Sequence, residues 1–383
     1  MGKATICQAD VFRFRFKLAK AFRIALGSTD EVEEIIVRLR TEGGEEGWGE
    51  ASPSPRILGT TAGTTLAAFE LLIPSIMGED PRRIGYLVDR MDRVIRREAS
   101  AKAALDIALH DLVGKLTGEP VWRMLGGHRT ERVETDFTVG MDEPDTMAGE
   151  ASELVSQGFR TIKVKVGEDP PTDVERVQAI REAVGDDIAI RIDANQGWTV
   201  PQAIWALGAM ADLDVQLAEQ PVAADDIEGL GRVRLHSPVP VMADEAAHSP
   251  EDALRVIRAG AADYINIKLM KAGGLWRSRE IAAICHAAGI PNMIGGMVES
   301  NISATAAVHF AIAERNVVFR DLDLGERPEA KLVAEGATVL QDGDQVLLDP
   351  DAPGFGFGRL HDDWLVPVKT YRPGEEVSFR ETV

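Results

Sequence analysis

Short apolar segments alternate with amphipathic helical segments at a steady period between residues 129 and 344. Charged residues at the ends of consecutive segments lie 26, 25 and 24 residues apart, and eight strand–helix units at one period predict a closed parallel (β/α)8 barrel. An open doubly wound sheet is disfavoured, because no glycine-rich phosphate loop follows the first segment. The candidate strands are TDFTV, TIKVKV, IAIRIDA, VQLAEQP, VPVMADE, YINIKL, PNMIGG and VVFRDLD.

Residues 1–128 have a different pattern, which predicts an α+β capping domain. Phe12, Phe14 and Phe16 alternate with other side chains, as in an edge or half-buried strand. The segments EEIIVRLR and TEGGEEGWGE predict a hairpin, and a helical run ends at Gly118 and Pro120. Residues 345–383, rich in Gly and Pro at their start, are expected to return to this domain. The predicted fold is therefore an α/β barrel, residues 129–344, with an N-terminal cap completed by the C-terminal segment.

The charge of the chain limits its partners. Lys and Arg number 42 against 62 Asp and Glu, so the net charge is −20. Nucleic acids and anionic membranes both attract basic surfaces, and neither is expected as a partner. The chain has two cysteines, Cys7 and Cys285, and no apolar run reaches the roughly 18 residues of a membrane span. We therefore expect a cytoplasmic homo-oligomer that acts on a small molecule.

Two lysines, Lys163 and Lys165, stand two residues apart in the segment TIKVKV. Alternate residues of a strand face the same side, so both lysines are predicted to point into the barrel while Ile162 and Val164 face the helices. Active sites of such barrels lie where the strands end. The alternative is an exposed strand face, although a parallel barrel strand is covered on both sides.

Acidic residues end the next three segments, at Asp193, Glu219 and Asp244. Three carboxylates that meet at one rim repel each other, and a divalent cation with oxygen ligands, Mg²⁺ or Mn²⁺, relieves the repulsion. The alternative is that each acid caps the helix after its strand, because Asp is a good N-cap residue. Their occurrence in three consecutive units, with Glu as one of them, favours a metal site.

Lys268 ends the next segment, YINIKL, so lysines flank the three acids on two sides. Lys271, three residues later, is expected to be solvated. A partly desolvated lysine beside another cation has a lowered pKa and can act as a base near neutral pH. Opposed lysines around a metal-bound ligand predict proton transfer at the carbon next to a carboxylate, through an enediolate that the metal stabilises. Removal on one face and return on the other inverts that carbon.

Asp321 and Asp323 lie two residues apart in VVFRDLD and are predicted to face the barrel together. Beside the metal site they would bind a cationic group of the substrate, such as an α-ammonium. The alternative is that one caps a helix and the other is a surface acid.

As a set, these motifs resemble the enolase superfamily, in its muconate lactonizing enzyme subgroup. The resemblance covers the cap, the barrel and the C-terminal return, and its motifs are K-x-K, DANQGW, E-Q-P, A-D-E and IKLMKAGG. It implies that Lys165 and Lys268 are the acid/base pair and that Lys163 stabilises the enediolate. It also implies Mg²⁺ as the cofactor, held by Asp193, Glu219 and Asp244.

Within that subgroup, the D-x-D at Asp321 and Asp323 resembles the dipeptide epimerases, where it binds the N-terminal ammonium of the substrate. The segments ETDFTVG and MVESNISATAAVHFA are similar to that group too, so Thr138 and Met297 are expected to contact the substrate. The implied reaction is inversion of the C-terminal residue of an L-dipeptide. The sequence departs from the Ala–Glu epimerases at Gly27, where they have an arginine that binds the glutamate side chain. An apolar, polar or cationic C-terminal residue is therefore as consistent with the sequence.

Two other interpretations stay open. N-acylamino acid racemases, o-succinylbenzoate synthases and cycloisomerases of the same subgroup do not need the D-x-D. A catalytically silent barrel could serve as a metal-dependent binding protein, although a binding protein needs no base on each face of its ligand.

Overall fold

The computed structural model describes residues 4–127, 132–323, 328–341 and 343–374. In these ranges the chain forms a four-stranded antiparallel sheet, an eight-stranded parallel sheet and a small three-stranded sheet. The predicted fold, a (β/α)8 barrel with an N-terminal cap that a C-terminal strand completes, is confirmed. Among the described residues, no helix combines the length and the apolar character that crossing a membrane requires.

The capping sheet consists of β1 (Ile6–Ile24), β2 (Gly27–Thr41), β3 (Glu46–Ala51) and β15 (Val366–Tyr371), in the order β15-β1-β2-β3. Its two faces are buried in different cores: Phe14 and Phe16 pack in the barrel core, and Val11, on the other face, packs with the cap helices. Of the two predicted alternatives, an edge or a half-buried strand, the structure shows the second for residues 9–13, because β1 pairs there with β2 on one side and β15 on the other.

Three helices among the described residues pack against this sheet: α1 (Ala62–Ile76), α2 (Ile84–Val94) and α3 (Ala99–Thr117). Helix α3 is buried on nearly every side, because it contributes to both the cap core and the barrel core. It approaches β3 closely, since a Cβ on Gly49 would lie 1.9 Å from the carbonyl oxygen of Ala104. The helix ends at Gly118, as predicted, with a left-handed φ of 74°.

Eight parallel strands of the described chain follow one another in sequence order around the barrel. The first and last strands meet where the Asp136 N–H donates to the carbonyl oxygen of Arg320 (3.3 Å). The strands are β5 (Phe137–Val139), β6 (Thr161–Lys165), β7 (Ala189–Asp193), β8 (Val215–Glu219), β9 (Val241–Ala243), β10 (Tyr264–Lys268), β11 (Asn292–Gly295) and β12 (Val317–Asp321).

Helices connect these strands on the outside of the barrel. Ile162 and Val164 pack in the core that these helices cover, as the strand alternation predicts. The helices are α5 (Pro144–Ser156), α6 (Pro170–Val184), α7 (Val200–Ala209), α8 (Ile227–His236), α9 (Pro250–Arg258), α10 (Leu269–Ala272), α11 (Leu275–Ala287) and α12 (Asn301–Ala313).

The C-terminal segment runs beside the barrel before it reaches the cap. Strands β4 (Arg132–Glu134), β13 (Val339–Gln341) and β14 (Gln345–Leu347) form the small antiparallel sheet, in which β14 pairs with β4. Further on, the carbonyl oxygen of Gly354 accepts from the N–H of Val121 (2.9 Å), the first residue of the short helix α4 (Val121–Met124). The described chain then ends shortly after β15, which pairs with β1.

Candidate active site

Charged residues at four strand ends are spaced by quarter turns around the barrel. Strands β6, β8, β10 and β12 are two steps apart, and their last residues are Lys165, Glu219, Lys268 and Asp321. Lys165 and Lys268 are four steps apart among eight strands, so they stand on opposite sides of the barrel. Glu219 and Asp321 are opposed in the same way. All four side chains are buried.

The three acids predicted to hold a metal ion are completely buried at the ends of consecutive strands β7, β8 and β9. The alternative that Asp193, Glu219 and Asp244 cap the following helices is wrong. The N-cap residues of α7, α8 and α9 are Thr199, Asp226 and Ser249.

Lysine ammonium groups surround these acids. Lys163 Nζ is 3.2 Å from Asp193 Oδ2 and 2.7 Å from Glu219 Oε2, and Lys268 Nζ is 2.9 Å from Asp244 Oδ2. Glu219 Oε2 and Asp244 Oδ2 thus contact an ammonium group, but they accept no well-aligned hydrogen bond from the described residues. Each carboxylate oxygen has lone pairs for a further cation, and carboxylate oxygens are the ligands that Mg²⁺ prefers. The residues present therefore fit the predicted metal ion.

The carboxyl groups have strongly perturbed pKa values. Burial and the charge of Asp193 raise the pKa of Glu219 to about 8. Burial acts on Asp244 in the same direction, but Lys268 and Lys271 hold its pKa well below the ordinary value. The two lysines of β6 likewise lower the pKa of Asp193 despite its burial. A divalent cation bound to these carboxylates would compete with protons for them.

Carboxylates surround two of the lysines and raise their pKa values. Burial acts to lower the pKa of Lys163. The negative charges of Asp321 and Glu219 outweigh burial and raise the pKa well above the ordinary value. Asp244 and Glu219 outweigh burial in the same way and raise the pKa of Lys268. The predicted lowering depends on a neighbouring cation, and a divalent ion bound to these carboxylates would supply one.

Lys165 is held by two acceptors, one at the end of β7 and one on the loop that follows it. Its Nζ donates to Asp193 Oδ2 (2.6 Å) and to Asn195 Oδ1 (3.1 Å). Asn195, with a left-handed φ of 39°, donates in turn to Glu245 Oε1 (3.1 Å). Burial and the charge of Asp244 raise the pKa of Glu245 to about 7. Sequence reasoning missed Asn195 and Glu245, although each lies one or two residues beyond a predicted ligand.

Lys271 is buried, so the prediction that it is solvated is wrong. Its Nζ forms an ion pair with Asp244 Oδ1 and donates to the carbonyl oxygens of Asp244 (2.6 Å) and Asn266 (3.1 Å). It belongs to the short helix α10, which begins directly after β10 and turns the side chain back under the strand end. Lys271 follows Lys268 by three residues, about one turn of a helix, and this spacing is the sequence signal that could have placed both lysines near Asp244.

A second group of acids lies where β12 meets β5. Asp136, Asp321 and Asp323 each place a carboxylate oxygen within 4.8 Å of the others, which makes them a possible cation site. The Thr138 N–H donates to Asp323 Oδ1 (2.8 Å), and the Thr138 hydroxyl lies 3.4 Å from Asp321 Oδ1. Asp321 Oδ2 accepts from Lys163 (2.5 Å). The predicted pair of acids is therefore brought together, although Asp323 lies beyond the strand with a φ of 43°.

Sequence reasoning missed the third acid of this group. Asp136 precedes β5, whereas the acids predicted to form the site follow their strands. It forms an ion pair with Arg191 (2.7 Å) inside the barrel, and burial together with Asp321 raises its pKa well above the ordinary value. Burial also acts on Asp321, but Lys163 and Lys268 lower its pKa to about 2. Asp321 is therefore ionised at neutral pH.

A cavity of about 450 Å³ lies between the barrel rim and the loops of the cap. The cap contributes Phe22 and Ile24 from β1 and residues 52–57 from the loop after β3. The barrel contributes every predicted substrate-contacting residue and both opposed lysines, which are Thr138, Met297, Asp321, Asp323, Lys165 and Lys268. The three predicted metal ligands and Lys163 are not among the described residues that line this cavity, and all four are buried.

Comparison with known proteins identifies both parts of the chain. Residues 7–126 match the N-terminal domain of mandelate racemase/muconate lactonizing enzyme, and residues 146–361 match the enolase C-terminal domain-like family. The hydrophobic dipeptide epimerase of Enterococcus faecalis is 44% identical over 87% of this chain and 94% of its own. The L-Ala-D/L-Glu epimerase of Bacillus subtilis is 37% identical over 92% of this chain and 96% of its own.

A solved structure agrees with these comparisons. The dipeptide epimerase of Enterococcus faecalis, complexed with Mg and the dipeptide L-Leu-L-Tyr, superimposes with a TM-score of 0.88 at 41% identity. The match covers 93% of this chain and 100% of the other. These relatives differ in the dipeptide that their names specify, so the likeness does not select one side chain.

Proposed function

Because the chain belongs to the mandelate racemase/muconate lactonizing enzyme family of the enolase superfamily and is an isomerase of the racemase/epimerase type, we propose that it is a Mg²⁺-dependent dipeptide epimerase. The reaction inverts the α-carbon of the C-terminal residue of an L-dipeptide. One observation carries the proposal: Lys165 and Lys268 stand on opposite sides of a single cavity, which Asp321 and Asp323 also line.

Two opposed lysines suit a 1,1-proton transfer. The neutral amine of one lysine takes the α-proton and becomes an ammonium group, and the ammonium group of the other gives a proton to the opposite face of the same carbon. The substrate gains and loses one proton, so its composition is unchanged and only the configuration is inverted. A base and an acid on one face would return the proton to the side it left, without inversion.

The α-proton is weakly acidic because its removal places a second negative charge beside the carboxylate. Asp193, Glu219 and Asp244 would hold Mg²⁺, or Mn²⁺ in its place. Bound there, the ion would neutralise these acids and stabilise the charge that develops on the substrate carboxylate. Lys163, whose ammonium group lies between Asp193 and Glu219, would add a second positive charge to the same region.

The second group of acids would bind the N-terminal ammonium of the dipeptide. Asp321 and Asp323 line the cavity and carry the required negative charge, and Thr138 positions both through its backbone N–H and its hydroxyl. Met297 lines the same wall and would contact the peptide. An N-acylated substrate has no such cation, so these acids distinguish a dipeptide epimerase from an N-acylamino acid racemase, an o-succinylbenzoate synthase or a cycloisomerase.

The test is deuterium uptake in D₂O with Mg²⁺ and a library of L,L-dipeptides, read by mass spectrometry. We expect certain dipeptides to gain one mass unit and to yield the D-epimer at the C-terminal residue, and we expect Lys165→Ala and Lys268→Ala to abolish epimer formation. Uptake by N-acylamino acids with none by free dipeptides would overturn the proposal in favour of the other enzymes of the subgroup. Metal binding without any exchange would indicate a binding protein.

A further inference from the structure

Arg56, in the loop between β3 and α1, covers a glycine of the hairpin between β1 and β2. A Cβ built on Gly27 would lie 1.7 Å from Arg56 Nη1 and 2.4 Å from Cζ. Gly27 also has a φ of 132°, which L side chains rarely adopt. The guanidinium group of Arg56 therefore occupies space that exists because residue 27 has no side chain, and both residues line the cavity described above.

Three cationic side chains line the cavity, Arg56, Lys165 and Lys268. Of these, Arg56 has no carboxylate partner among the described residues. Lys165 and Lys268 pair with Asp193 and Asp244. No ion pair or hydrogen bond joins the guanidinium of Arg56 to any residue in the described ranges, although the chain carries a net charge of −20.

The acids of the same wall already face cations. Glu33 forms ion pairs with Arg13 (2.5 Å) and Arg15 (2.8 Å). Glu31 stands opposite Lys17 in the register of β1 and β2. Arg56 is exposed, so water can satisfy its donors when no substrate is bound. A substrate side chain with a carboxylate would place an opposite charge beside it, whereas a cationic side chain would have to compete with the existing partners of Glu31 and Glu33.

The position of Arg56 relates it to the residue that is inverted. Lys165 Nζ lies 5.9 Å from the ring of Phe22, so the β1–β2 hairpin extends over one of the two opposed lysines. A side chain on a carbon held between the lysines would point out of the barrel toward the cap, where Gly27 and Arg56 lie. Apolar residues, among them Ile24 and Ile57, line the approach and would pack against its methylene groups.

We propose, on the basis of the function proposed above, that Arg56 selects dipeptides whose C-terminal residue carries a side-chain carboxylate, Asp or Glu. The guanidinium group binds that carboxylate through its two parallel N–H donors, a geometry that planar carboxylates match. The loop after β3 thereby supplies the specificity through Arg56, and the missing side chain at Gly27 leaves room for the guanidinium group.

The experiment compares kcat/KM for L-Ala-L-Glu, its neutral isostere L-Ala-L-Gln, L-Ala-L-Leu and L-Ala-L-Lys, with Mg²⁺ saturating. The wild-type chain should prefer Glu to Gln by about 10-fold, the size of a charged hydrogen bond that is partly exposed. Arg56→Ala should abolish this preference, mainly through KM. Arg56→Glu should shift the preference to L-Ala-L-Lys. Arg93→Ala removes the same charge from an exposed position on α2 and should change none of the ratios.

The outcomes separate this inference from the proposed function. If the wild-type chain exchanges L-Ala-L-Leu or L-Ala-L-Lys faster than L-Ala-L-Glu, or if Arg56→Ala keeps the wild-type Glu-to-Gln ratio, the role of Arg56 is overturned while the epimerase stands. Exchange of no dipeptide in any variant would overturn both.

Discussion

Replacing Lys271 by Met tests whether the buried charges of the site depend on one another. The ammonium group pairs with Asp244 and donates to two backbone carbonyl groups, all completely buried. Removing one partner of a buried ion pair leaves the other charge uncompensated, which costs about 3–5 kcal/mol. Asp244 keeps Lys268 at 2.9 Å, so we expect a loss near the lower end of that range.

The assay is urea unfolding of the metal-free chain, followed by circular dichroism. Lys331→Met, at an exposed position, is the matched control and should change the free energy of unfolding by less than about 0.5 kcal/mol. Saturating Mg²⁺ should reduce the loss in Lys271→Met, because the ion would compensate Asp244. A loss below about 1 kcal/mol without metal, the size of an exposed pair, would refute the reasoning.

Three further predictions concern the substrate, the metal and pH. Asp323→Asn should lower kcat/KM for dipeptides by about 10- to 100-fold, because a charged hydrogen bond to the ammonium is lost, and an equal rate would contradict the proposed ammonium site. Mg²⁺ at 100 times its Kd should stabilise the chain by about 2.7 kcal/mol in thermal unfolding, and Asp244→Asn should remove the effect. Burial and Glu50 raise the pKa of Glu299 from 4.5 to about 8. The folded chain therefore holds this proton more tightly than the unfolded chain, so its stabilising effect is complete below pH 4.5 and is lost as the pH rises through 8. Glu299→Gln should flatten the fall in unfolding free energy between those values, and an unchanged slope would contradict the raised pKa.

The barrel was predictable because its determinants are local and repeated. Each strand is a short apolar segment, and the alternation of side chains places Lys163 and Lys165 inside and Ile162 and Val164 outside. Given eight strands in sequence order, the quarter-turn spacing of the charged strand ends follows from counting. The competing explanation for the acids, helix capping, could be decided only when the structure showed other residues at the N-caps.

The contacts that were not predicted involve residues outside the regular repeat. Lys271 is buried because α10 begins without a loop after β10, and the sequence does not mark that junction. Asp136 precedes its strand, and it meets Asp321 because the barrel closes between β12 and β5. Gly27 and Arg56 come from separate loops of the cap, and their proximity depends on how the two loops pack.

The most direct test of two-base proton transfer compares exchange and inversion in single-lysine variants. Lys165→Ala and Lys268→Ala, each supplied with the L,L- and the L,D-epimer of an active dipeptide in D₂O with Mg²⁺, should form no opposite epimer. Each variant should still exchange the α-hydrogen of one epimer, the one whose hydrogen faces the lysine that remains, and the two variants should select different epimers. Inversion by either variant, or exchange of the same epimer by both, would contradict the assignment of one lysine to each face.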